Sequence, residues 1–157
     1  LLEANDLRVS IFNEVISEFN HELIAKDRFS AVSSDGVGYD FSAKKTNDLP
    51  HPRSFGAFPR AINQLVKKKG IVPLETMIAK MTGLPANILG IKDRGVIEKG
   101  GKADLVVFDL ELMEDTATYE KPFMPPSGIR HVFINGQAVI SSGKIAGLLP
   151  GKALRNR

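Results

Sequence analysis

His131-Val132-Phe133-Ile134-Asn135-Gly136-Gln137-Ala138-Val139-Ile140 is the stretch that decides how the chain folds. Two β-prone runs flank an Asn-Gly pair, and both residues of that pair tolerate the positive φ that a two-residue hairpin turn demands. An antiparallel hairpin is therefore predicted here. Upstream, Leu105–Phe108 is a short apolar run reached through the turn-rich Glu98-Lys99-Gly100-Gly101-Lys102, and it reads as another strand. The C-terminal third is expected to be antiparallel sheet.

Further toward the N-terminus the period changes from two to 3.6. Pro73 opens a predicted helix with Leu74, Met77, Ile78 and Met81 on one face and Gly83 at its end, followed after Pro85 by a short helical turn to Gly90. Methionines at this spacing are core packing. A second helix is predicted from Pro59, with Ile62, Leu65 and Val66 on one face and Gly70 as the stop. The two prolines of His51–Pro59 argue against helix before about Phe58. Gly36–Pro50 is a polar loop of functional length. Leu7–Phe12 alternates as a half-buried strand, Ser17 suits the N-cap of a helix running to about Lys26, and Phe29–Ser33 reads as a second strand. Strand, helix and strand in this order favour a parallel crossover unit.

Composition sets the bounds. The 157 residues carry 43% hydrophobic and 25% charged side chains, as a globular domain does, and no apolar run nears the length of a membrane span. Cysteine is absent, so disulfides and thiol chemistry are excluded and a cytoplasmic setting is expected. The net charge of +3 is uneven, with seven acids against three bases in residues 1–35 and the reverse excess beyond. Lys67-Lys68-Lys69 lacks the aromatic platforms of a nucleic-acid surface and suits the negative end of a helix dipole. No nucleic-acid or membrane partner is expected.

Two places carry residues suited to chemistry. Asp35 lies where an apolar run ends in Gly36, the position at which parallel α/β folds build active sites, and a carboxylate there serves as general base or metal ligand. The same Asp-Gly pair also suits a plain turn. His51-Pro52-Arg53-Ser54-Phe55-Gly56-Ala57-Phe58-Pro59-Arg60 holds a histidine and two arginines on a rigid path, and arginine grips carboxylates with two parallel hydrogen bonds. It equally suits a helix lead-in. His21, His51 and His131 form no metal-ligand spacing; His21 is expected on an exposed helix face and His131 on the sheet surface.

Four of these segments, SSDG (33–36), HPRSFGAFPR (51–60), DRGVIEKGGKADLVVFD (93–109) and GIRHVFINGQAV (128–139), together resemble the N-acyl-D-amino-acid deacylases, the D-aminoacylases of the amidohydrolase superfamily. The third element is widespread in that superfamily; the second points to the D-aminoacylase branch. The resemblance implies an α/β fold, namely the C-terminal portion of a TIM-type β/α barrel (residues 1–92) followed by an antiparallel β subdomain segment (residues 93–157). It implies zinc-dependent hydrolysis of the amide bond of N-acyl-D-amino acids to a D-amino acid and a carboxylate. Asp35 would be the catalytic aspartate and a metal ligand, and Arg53 with His51 would bind the substrate. Most zinc ligands of that family come from strands N-terminal to anything present here. The chain is therefore expected to be a C-terminal fragment, catalytically silent alone, whose open surface favours self-association. A cyclic-amide hydrolase or dipeptidase of the same superfamily, or a non-catalytic β-rich binding domain, is the alternative reading.

Overall fold

A computed structural model of the chain describes residues 15–39 and 49–154. The predicted strand at Leu7–Phe12 and most of the 36–50 loop lie outside these residues. Among the described residues four α-helices precede four strands: α1 (Glu18–Lys26), α2 (Arg53–Ala61), α3 (Leu74–Met81), α4 (Gly83–Ile88), β1 (Leu105–Phe108), β2 (Ile129–Ile134), β3 (Gln137–Ser141) and β4 (Lys144–Ile145). A π-helical stretch, Ile62–Lys68, continues α2. None of the described helices is long and apolar enough to cross a membrane.

The sheet is antiparallel throughout in the order β1-β2-β3-β4. Its hairpin turns at Asn135 (φ 49°) and Gly136 (φ 80°), so the turn predicted from the Asn-Gly pair forms. The turn is held from outside the hairpin. Arg94 Nη2 donates to Asn135 Oδ1 at 2.7 Å, Asp104 Oδ1 accepts from the Asn135 N–H at 2.7 Å, and Arg94 pairs with Asp104. Arg94 and Asp104, both within the widespread third motif, thus clasp the turn that closes the sheet. β4 escaped the sequence reading because two residues are too few to show a period.

Helices and sheet share one core. Ile62, Leu65, Val72, Met77 and Met113 are buried, and Val32, Phe108, Leu110 and Ile129 pack against them. Met77 is wholly buried, as its place on the apolar face of α3 requires. Lys67 Nζ donates to the carbonyls of Glu111 (2.8 Å) and Met113 (3.2 Å), and Lys69 binds Glu18 and Glu22 of α1. These lysines tie elements together.

Two expectations fail. α2 starts at Arg53, well before Phe58, with Pro52 as its N-cap and Pro59 inside it. A proline at the start of a helix removes only an N–H that has no intrahelical partner. Pro59 removes one interior bond, and the ladder beyond it widens into the π stretch, where the Lys69 N–H reaches back five residues to Gln64. Phe29–Ser33 is no strand: Phe29 lies in a turn that the Ser30 N–H closes onto the Asp27 carbonyl, the Val32 N–H donates to the Lys80 carbonyl of α3 at 3.0 Å, and no described strand lies beside the segment. The parallel crossover therefore has no counterpart among the described residues.

Candidate active site

Ser33-Ser34-Asp35-Gly36 follows the segment held by Lys80 and meets the N-terminus of α2. Asp35 has φ 45°, a conformation that aspartate and asparagine enter more readily than most residues. The Ser34 hydroxyl accepts the Gly36 N–H at 3.2 Å, and the Ser54 hydroxyl of α2 accepts the Val37 N–H at 3.3 Å. A Cβ on Gly36 would stand 2.8 Å from Ser54 Cα, so only glycine lets the loop press this closely against the helix. The result is a pairing of residues eighteen apart in sequence. Arg53 Nη2 lies 2.8 Å from Asp35 Oδ2, with Asp35 82% and Arg53 45% exposed. Pairing at that exposure contributes little to stability. It leaves both groups open to a ligand.

His51 sits behind Arg53. Its Nδ1 accepts the Arg53 backbone N–H at 3.0 Å, and its Nε2 lies 3.2 Å from the Tyr119 hydroxyl, with the two rings edge to face. The imidazole thus fixes the first residue of α2 from one side while Tyr119, from the loop between β1 and β2, holds it from the other. Arg60, the second arginine of the segment, pairs with Asp115 at 3.1 Å and anchors α2 to the same loop. Tyr39, Phe55 and Phe123 cluster with ring centroids 5.3–5.6 Å apart and close the far side of the helix start. Tyr119 and Asp115 carry no sequence signal, since contacts across 55 to 68 residues leave no local pattern.

Burial, followed by the nearby Arg53 and Arg60 guanidinium groups, holds the His51 imidazole below the usual histidine range. The geometry agrees, because a proton on Nδ1 would end the bond from Arg53. With the folded pKa below the unfolded value of about 6.5, the unfolded chain takes up the proton first as pH falls. The stability linked to His51 is thus complete above about pH 6.5 and is lost as pH falls through the folded value. Urea unfolding at about pH 7.5 and about pH 5 is expected to show a drop that His51→Asn, which keeps an acceptor but does not titrate in this range, makes smaller. An equal drop in both proteins would assign it to another group.

Asp35, Arg53 and His51 are therefore brought together, whereas His21 is exposed on α1 and His131 is half-buried on β2. Among the described residues no group of three or more His, Cys, Asp or Glu side chains is placed to hold a metal ion. Asp35 is the carboxylate this site offers. Unaided, it does not make a metal centre.

Residues 46–140 match the model of the amidohydrolase family. The chain is 38% identical over 91% of its length to N-acyl-D-glutamate deacylase of Alcaligenes xylosoxydans xylosoxydans. Its fold is similar to that of a D-aminoacylase crystal structure described as defining a novel subset of amidohydrolases, with TM-score 0.74, 37% identity and 85% of this chain covered. It is similar too to N-acyl-D-glutamate deacylase from Bordetella bronchiseptica, solved with zinc and a phosphonate inhibitor that mimics the tetrahedral intermediate (TM-score 0.71, 36% identity, 79% covered). The chain spans about a quarter of the length of these proteins, between 25% and 27%.

Proposed function

The chain belongs to the amidohydrolase family, and from that premise we propose that it is the part of a zinc-dependent N-acyl-D-amino-acid deacylase that carries the proton-transferring aspartate and the substrate's carboxylate clamp. The observation that carries this reading is the Asp35–Arg53 pair at 2.8 Å, open to solvent on the loop and helix start that the sequence resemblance singles out. Residues 1–92 would then supply the C-terminal share of a β/α barrel and residues 93–157 the β-rich subdomain share. The setting would be cytoplasmic and the partner a small N-acyl amino acid.

The reaction needs three things that these residues suit. An amide is a poor electrophile and an amine a poor leaving group, so a proton must leave the attacking water and reach the departing nitrogen. Asp35, with one oxygen on Arg53 and the other in solvent, can take the first proton and return it to the nitrogen. Arg53 spends one Nη on Asp35, and its remaining donors can bind the α-carboxylate, which would hold one enantiomer with its amide beside Asp35. His51 belongs to the substrate side through Arg53, whose backbone it orients. Zinc, in enzymes that hold it, brings the pKa of bound water to about 7. In this proposal Asp35 is one carboxylate of that centre, and the remaining ligands lie outside the described residues.

Arg53→Ala is the test. In the complete protein it is expected to raise KM for N-acyl-D-amino acids by about 10- to 100-fold, the equivalent of charged hydrogen bonds worth about 1.5–3 kcal/mol. The matching N-acyl amino amide, which has no carboxylate, should be affected only a few-fold. An equal loss on both substrates would contradict a carboxylate clamp.

A further inference from the structure

Lys80 is a buried charged side chain that the mechanism above leaves unused, and it is 3% exposed. It projects from α3, on the face that also buries Met77. Its ammonium donates to the Asp27 carbonyl, to the Ser30 carbonyl at 2.9 Å and to the Ser30 hydroxyl at 2.9 Å. The Ser30 hydroxyl in turn donates to the Ile24 carbonyl at 2.6 Å. The lysine therefore sits at the carbonyl end of α1, where a helix concentrates negative partial charge, and all three of its protons have acceptors. The same residue works a second time through its backbone, for its carbonyl accepts the Val32 N–H.

Burying an ammonium is costly, and a methionine would fill the space more simply. The carbonyls explain what the charge achieves. Residues 27–32 have no strand beside them among the described residues, so nothing in a ladder fixes their path. Lys80 grips that path at residues 27, 30 and 32, three residues short of Asp35. Beyond Asp35, the Ser54 hydroxyl and the tight approach of Gly36 fix the far end. Arg53, by contrast, rides on α2 and is held by His51 and by the helix itself.

We infer that Lys80 is a positioning residue for the proposed deacylase reaction, one that sets where Asp35 stands relative to Arg53. It rests on the function proposed above, and it separates the two residues experimentally. Loss of the lysine displaces Asp35 and leaves Arg53 on its helix, so turnover should suffer and substrate capture should not.

The experiment uses the complete protein with Lys80→Met, which fills the space without donors, and Lys80→Arg, which restores them. Lys80→Met is expected to lower kcat about 10²-fold, the scale of a 1 Å misplacement, with KM within about three-fold. Lys80→Arg should recover most of kcat. Hydrogen exchange at the Val32 amide and the NMR signal of the Arg53 guanidinium, sharpened by its pairing with Asp35, are read in parallel. Lys80→Met should speed the first and broaden the second. If Lys80→Met does not fold, Ser30→Ala, which removes one acceptor, should show the same signs at smaller size. Unchanged kcat with faster Val32 exchange would make Lys80 a purely structural residue and overturn the inference, as would KM and kcat failing together. If no version of the protein, wild type included, deacylates N-acyl-D-amino acids, the functional reading fails. The NMR signals then decide alone whether Lys80 places Asp35.

Discussion

Asp35→Asn is expected to lower turnover of N-acyl-D-amino acids by the complete protein about 10²- to 10⁴-fold, the usual contribution of a positioned acid or base. The substitution is well suited to isolate that role. Asparagine enters the φ 45° conformation as readily as aspartate does, so the loop has no reason to change path. Its carboxamide oxygen can still accept from Arg53 Nη2, so the clamp keeps its neighbour. What it loses is the capacity to take a proton and give it back. KM should therefore move little, and the thermal midpoint and zinc content should stay close to wild type. Turnover within a few-fold of wild type would remove Asp35 from the chemistry.

The largest effect on folding is expected at Gly128, just before β2. Its φ is +81°, and a Cβ there would meet Met113 Cα and N at 2.7 Å and the Leu112 carbonyl carbon at 2.8 Å. These are backbone atoms, which cannot turn aside as the end of a side chain can. Nor can the segment retreat, because Met113 is buried in the shared core, its carbonyl is held by Lys67, and Gly128 itself accepts the Asp109 N–H at 2.8 Å. Gly128→Ala thus adds a steric overlap to the strain of a positive φ and should destabilise the chain by more than about 3 kcal/mol. Gly147→Ala is the control, with φ +71° and nothing within 4 Å, and it should cost only the conformational part, about 1 kcal/mol. Urea unfolding of both variants separates the terms. If the two fall equally, the approach to Met113 is not what requires glycine at 128.

What could be read from the sequence was local. Asn135-Gly136 marked the hairpin because the turn's φ values are a property of those two residues. Ser17 marked the start of α1, and its hydroxyl accepts the Asn20 N–H at 3.2 Å as an N-cap does. Pro52 and Pro59 misled, because a proline's effect depends on where the helix begins, and tertiary contacts decided that: α2 passes so close to Asp115 that a Cβ on Gly56 would stand 3.1 Å from it, and Arg60 pairs with the same residue. Phe29–Ser33 has a strand's composition, but a strand also needs a neighbour. Asp35 and Arg53 were each legible as suited to chemistry, yet their pairing follows from Gly36 pressing on Ser54, which no spacing reveals. Lys80 stood on the buried face of α3, three residues beyond Met77. A charge at an apolar-face position was the sign of it.

The clasped hairpin turn bears on how the chain ages chemically. In an unfolded peptide an Asn-Gly pair loses ammonia with ease, because the glycine nitrogen attacks the asparagine carboxamide and closes a succinimide ring. Here that nitrogen donates to the Ala103 carbonyl at 2.9 Å. The carboxamide is held at both ends, by Arg94 at 2.7 Å and by the Pro150 carbonyl at 2.8 Å. The attacking and attacked groups are thus kept occupied while the fold is intact. Deamidation at Asn135 would thus record loosening of the clasp: a molecule that reacts while the clasp is open gains a lasting negative charge beside Asp104.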